Sequence, residues 1–164
     1  GGGGVEVAMR FAATHVGTRE RPAGSNDGPW IRAWSRLAGY RDPVPWAGAF
    51  ANVCLVAGGM KTGAAWVGYA PGIRAHAELG LGGWSLHRHG APGDIALSAY
   101  ADTPDEVVHV ELVCDRLSAT HYSTFSGNAR CNGQVHADGG MVCYRPERST
   151  LGALPIVAFA RPPW

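Results

Sequence analysis

The chain has 164 residues and a mass of 17.2 kDa, which predicts one domain at ~150 residues per domain. Its 46% hydrophobic content allows a sizeable core, and a net charge of +1 gives no electrostatic footprint for duplex nucleic acid or an acidic membrane. The 24 glycines and 11 prolines carry no Gly-X-Y period, which excludes collagen and predicts many turns and long surface loops.

The four leading glycines, with no methionine before them, read as a tag or processing remnant, which leaves residues 5–164 as the folded domain. Val5 to Val16 follows as a first helix, with Val5, Met9, Ala12, Ala13 and Val16 on one face and Gly17 as its stop. Thr18 to Pro29 is a loop rich in Pro, Gly, Ser, Asn and Asp. A short second helix spans about Trp30 to Leu37. The third follows Pro45, from Ala47 to Ala57, with Phe50, Val53, Cys54 and Ala57 as its apolar stripe and Gly58-Gly59 as its close. A weaker helix covers Ile73 to Glu78.

From Pro92 the period changes to two. Asp94 to Ser98, Val107 to Val113, Ala119 to Phe125, Gly140 to Tyr144 and Ile156 to Ala160 predict about five strands, the second and third joined across Asp115–Ser118. Gly127 to Gly139 reads as a polar loop. Helices first and strands after, without βαβ alternation, predict an α+β fold with an antiparallel sheet. No apolar run approaches the ~18 residues of a membrane span, and no signal peptide is present.

Four cysteines are too sparse for a disulfide scaffold and lack the CxxC spacing of a zinc site. The shared loop-and-strand region of Cys131 and Cys143 permits a bridge, but free thiols are the expectation. Cys54, deep in the stripe of the third helix, reads as a core thiol. His87-Arg88-His89 invites a zinc-hydrolase reading, yet no third ligand is marked by spacing and no HExxH occurs, so a polar surface loop is expected. Trp30, Trp34, Trp46, Trp66 and Trp84 are candidates for a sugar-stacking platform; helical placement favours a core role for Trp34, while Trp46 stands nearest the start of the third helix.

That helix start has free backbone N–H groups and the positive end of the helix dipole, a setting that favours a thiolate or an oxyanion. The residue there is Ala47, which does no such chemistry. In the strand that follows, alternation puts Val108, Val110 and Leu112 on one face and Val107, His109, Glu111 and Val113 on the other. His109 therefore needs a partner for its ring. Glu111 lies on the same face within reach of the imidazole, although a solvated charge at an exposed edge is its default reading.

Pro45-Trp46-Ala47-Gly48-Ala49-Phe50 resembles the Pro-Trp-Cys-Ala/Gly-x-Phe nucleophile segment of CHAP-type endolysin domains, the cysteine, histidine-dependent amidohydrolases/peptidases of bacteriophages. Further pieces follow in the family's order. Asn26 falls in a Gly-Ser-Asn loop after Glu20, Pro92-Gly93-Asp94-Ile95 is similar to a strand opening, and His109-Val110 matches the catalytic His-Val. Thr124-Phe125-Ser126-Gly127-Asn128 resembles Thr-Ile-Glu-Gly-Asn, and Gly139 to Val142 and Val157 to Pro162 resemble the last two strands.

The resemblance implies a papain-like CHAP fold and hydrolysis of peptidoglycan amide bonds, as an endopeptidase or an N-acetylmuramoyl-alanine amidase. It implies no cofactor and no metal, since the calcium loop of some relatives is missing. The partner is bacterial peptidoglycan, met as a monomer at the cell wall by a protein made in the host cytoplasm or carried by the phage particle. Residue by residue, Ala47 stands at the nucleophile position, His109 at the general base and Asn128 at the orienting residue, with Glu111 as the other candidate for that role. Asn26, Trp46 and Ser126 fall on the substrate side, Ser126 where the family carries a carboxylate. Ala47 makes the chain inactive as written; the alternative is a non-catalytic cell-wall-binding or structural phage module.

Overall fold

The computed structural model describes residues 2–61, 69–131 and 139–164; Trp66 and most of the segment between Gly127 and Gly139 that reads as a loop lie outside them. Helix α1 runs Gly2–Thr14, so Gly2, Gly3 and Gly4, which the sequence reading sets aside, form its first turn. Gly4 is pressed against the far end of the chain: a Cβ there would stand 2.7 Å from the Gly58 carbonyl and 3.2 Å from the Trp164 ring. After α1 the chain turns at Gly17 and runs along the sheet edge, donating from Gly17 N to Val142 O and from Glu20 N to Gly140 O.

Helix α2, Pro29–Leu37, has proline in its first turn, where the missing N–H costs nothing. Its N-cap Gly28 sits at φ 151°, ψ 162°, a region open to glycine alone. Helix α3 spans Ala47–Ala57 with the bounds predicted, and nine of its residues, Ala47 to Leu55, are buried. Helix α4 is Ala70–Glu78, three residues longer at its start than the periodicity predicts because Pro71 occupies the first turn.

Six strands follow: β1 Ser85–His87, β2 Ile95–Ser98, β3 His109–Arg116, β4 His121–Ala129, β5 Met141–Ser149 and β6 Ile156–Arg161. They form one antiparallel sheet in the order β1-β6-β2-β3-β4-β5. The fold is α+β as expected, with six strands rather than about five. The extra one is β1, which takes in only His87 of the His87-Arg88-His89 tract expected as a loop and pairs with the C-terminal strand through Ser85–Arg161 and His87–Phe159. Strand β5 continues five residues past Tyr144 and holds Pro146, which an edge strand tolerates because its outward N–H has no ladder partner to lose.

Alternation divides the sheet. Ile95 and Leu97, Val110 and Leu112, Phe125, and Ala158 and Ala160 join the helices in the main core with Ile31, Trp34, Phe50 and Leu55. Ala96, Val113, Tyr122, Ile156 and Phe159 form a second, smaller cluster. Ile156 reaches it because a bulge beside Leu97 and Ser98 shifts the β2–β6 register.

Gly127 marks the closest approach of helix and sheet. A Cβ there would lie 2.5 Å from Phe50 Cβ and 2.9 Å from its Cγ. Gly127→Ala is therefore expected to destabilise the fold by about 1–3 kcal/mol through overpacking, read as a lower urea midpoint; an unchanged midpoint would show that α3 is not held this tightly.

Cys131 and Cys143 form a disulfide with Cα atoms 5.4 Å apart, which corrects the expectation of free thiols. β5 brings Cys143 beneath the chain leaving β4, a proximity that sequence spacing does not reveal. Closing a loop of this size restricts the unfolded chain by an amount worth about 3 kcal/mol.

Candidate functional site

Ala47 is 8% exposed and stands at the start of α3, on the wall of a cleft of about 710 Å³. Opposite and around it lie Tyr40, Val44, Tyr69, Val107 and Val108, with Asp105 and Glu106 among the lining residues. The helix begins here because Pro45 precedes it and because Phe50 N donates to Trp46 O, closing the first turn. Backbone N–H groups of residues 47–49 precede that first bond and have no partner within the helix.

Trp46 supports this turn from below. It is completely buried and its indole Nε1 donates to Glu20 Oε1 at 2.9 Å. A ring with no exposed surface cannot stack on a substrate, so the substrate-side role expected of Trp46 is replaced by a scaffolding one. Glu20, whose carboxylate also lies against Gly140, was not singled out by the sequence; its only signal there is its position before the loop that carries Asn26. Asn26 itself adopts φ 55° and lines a small separate hollow with Asp27, Arg32 and Tyr40.

His109 follows Val107 and Val108 directly but is itself only 1% exposed. Its Nε2 lies 2.7 Å from Ser126 Oγ and 3.8 Å from Glu111 Oε1. Register explains the meeting: β2 sets Ser98 beside His109 and Ala96 beside Glu111, while β4 is aligned on β3 through Leu112–Phe125 and Val113–Thr124. Ser126 is fully buried too, which removes it from direct contact with a ligand.

Glu111 is 1% exposed, not the solvated edge charge expected. Its Oε1 accepts from Arg148 Nε at 2.7 Å and its Oε2 from Thr124 Oγ1 at 2.5 Å. Arg148 also donates to Ser98 Oγ and Leu154 O, each at 2.9 Å. In a flat sheet β2 and β5 would stand roughly 14 Å apart, three strand spacings. A direct Arg148–Ser98 bond therefore requires the sheet to curl around this polar group. Burial alone would raise the Glu111 pKa; the Arg148 guanidinium, the His109 ring and the two hydrogen bonds outweigh it and hold the carboxyl below its usual range.

Asn128 sits at φ 52° where the β4–β5 register shifts. Its Oδ1 accepts from Gly140 N at 3.0 Å, so the amide pins the turn into β5. The imidazole's Nε2 meets Ser126, with Glu111 behind, rather than Asn128. The structure thus gathers His109, Glu111 and Ser126 in one polar group, adds Arg148, Thr124 and Ser98 to it, and sets Ala47 on the cleft beside Val107 and Val108. Cys54 is fully buried and its pKa is driven far up by burial, as a core thiol requires. His87 Nε2 pairs with Ser85 Oγ at 2.7 Å. Among the described residues no three His, Cys, Asp or Glu side chains converge as a metal site, and no helix is long and apolar enough to cross a membrane.

Comparison of the chain with family models, with curated proteins and with solved structures finds no match in any of the three.

Proposed function

We propose that this chain is a peptidoglycan-binding domain on a CHAP-type, papain-like amide-hydrolase scaffold, and that alanine at position 47 is what silences it. The supporting observation is the start of α3: position 47 lies on the lining of the large cleft at the helix N-terminus, where backbone N–H groups have no partner within the helix. A cysteine there would gain thiolate character from the helix terminus. In that form the thiolate attacks the wall amide carbonyl and the N–H of residue 47 helps hold the oxyanion. His109 gives its proton to the leaving amine, and water, deprotonated by the same imidazole, hydrolyses the thioester. Nε2 is the ring nitrogen that meets Ser126, so in this form the other ring nitrogen, Nδ1, serves the sulfur.

Alanine removes the sulfur and leaves the cleft's shape, so the chain holds wall peptide without cutting it, at the bacterial cell wall and in the service of a phage. The burial of His109 and its bond to Ser126 favour a second reading, a natural non-catalytic wall-binding module. Both readings expect the chain to sediment with insoluble peptidoglycan while releasing no new amino groups. Absence of sedimentation with walls of several chemistries would remove the wall as partner.

A further inference from the structure

Trp30 is 58% exposed, an unusual place for so large an apolar side chain. It is nonetheless held rigidly. Its ring stacks on Trp34 at 6.4 Å and 29°, and meets His15 edge-on at 5.0 Å. Trp34 is 3% exposed and packs against Trp46 and Phe50 of the core. The outer indole is therefore a fixed platform with the core behind it.

Beside this platform lies a concavity of about 380 Å³ whose lining includes Thr18, Arg19, Arg21, Pro29, Trp30 and Ile31. The chain is extended here, so Arg19 and Arg21 share a side while Glu20 between them turns inward to Trp46. Among the described residues, none that lines the hollow is acidic. Asp27, on the same loop, is already paired with Arg32 at 2.7 Å. Two exposed guanidinium groups thus flank an exposed indole at a hollow sized for one substituted ring.

We propose that this hollow binds a single saccharide unit bearing an anionic group, its ring on Trp30 and its anion on Arg19 and Arg21. Indole faces receive the C–H face of a pyranose as they receive other weakly polar surfaces. Guanidinium forks bind carboxylate or phosphate through paired N–H donors. A carboxylate-bearing amino sugar and a sugar phosphate share this chemistry. The site is separate from the α3 cleft and does not depend on the reading given to that cleft.

Calorimetric titration with N-acetylmuramic acid, N-acetylglucosamine, N-acetylglucosamine 6-phosphate and inorganic phosphate tests the proposal. The anionic sugars are expected to bind about tenfold more tightly than the neutral one, the effect of one or two charged hydrogen bonds. Whichever of the two anionic sugars binds better identifies the source. Arg19→Gln combined with Arg21→Gln should abolish the preference, and Trp30→Ala should weaken both anionic sugars; all three positions are exposed, and thermal melts of the variants verify folding. Equal binding of neutral and anionic sugars, binding of inorganic phosphate as tight as the sugars, or indifference to Trp30→Ala would each overturn the proposal.

Discussion

Arg148→Met is expected to cost about 3–5 kcal/mol of folding stability at pH 7, because it leaves the Glu111 carboxylate buried without its cation. The loss should change with pH in a direction the native protein does not share. In the native chain the Glu111 pKa is lowered from 4.5, so its stabilisation is complete above that value and fades as pH falls through the still lower folded pKa. In the variant, burial without Arg148 raises the pKa. The folded state then binds more protons than the unfolded one above pH 4.5, and stability falls as pH rises from there. Urea melts at pH 7, at pH 5 and below pH 4.5 read both signs: the variant gains between pH 7 and pH 5, whereas the native chain holds level there and loses stability only below pH 4.5. Pairing Arg148→Met with Glu111→Gln should recover much of the loss, since neither charge of the pair is left buried without its partner. A variant as stable as the parent at pH 7 would mean that water reaches this group.

The second large effect concerns His109. In an Ala47→Cys background, His109→Ala is expected to lower the rate of amide cleavage by several orders of magnitude, because one side chain supplies both thiolate activation and the leaving-group proton. Ser126→Ala in the same background separates positioning from chemistry. It removes the hydroxyl that Nε2 meets at 2.7 Å while keeping the imidazole, and should shift the pH profile of the rate rather than abolish it. Retention of most activity without His109 would move the base elsewhere, with His121 on β4 next to be examined.

The contrast between α3 and the polar group shows what a sequence carries and what it does not. Pro45 before Ala47 and Gly58-Gly59 after Ala57 are local signals, and the helix has the predicted bounds. The alternation of His109 to Val113 is local too, and the split between the two clusters follows it. Val107 departs from it and joins the main core, because the strand starts only at His109.

What escapes is whatever depends on distant chain. Glu111 reads as exposed because its cation lies 37 residues away, past Tyr144, where the strand predicted from the sequence ends. The strand order β3-β4-β5 brings the two within reach, a neighbourhood that no local signal carries. β1 is invisible for a related reason: three residues are too few to carry a period, and β6 supplies the pairing that makes them a strand. Trp46 reads as a substrate-side residue from its place beside position 47, whereas its indole is turned to Glu20, 26 residues earlier.

The most direct test of the account is amide cleavage by the Ala47→Cys protein. Purified peptidoglycan is incubated with the chain as it stands and with the variant, and new amino groups and fragment masses are measured with and without prior alkylation. The account expects none from the alanine form, steady release from the cysteine form, and loss of that release on alkylation, with buried Cys54 reacting far more slowly. A folded Ala47→Cys protein that stays silent on several chemically different walls would contradict it and leave the non-catalytic binding module in its place.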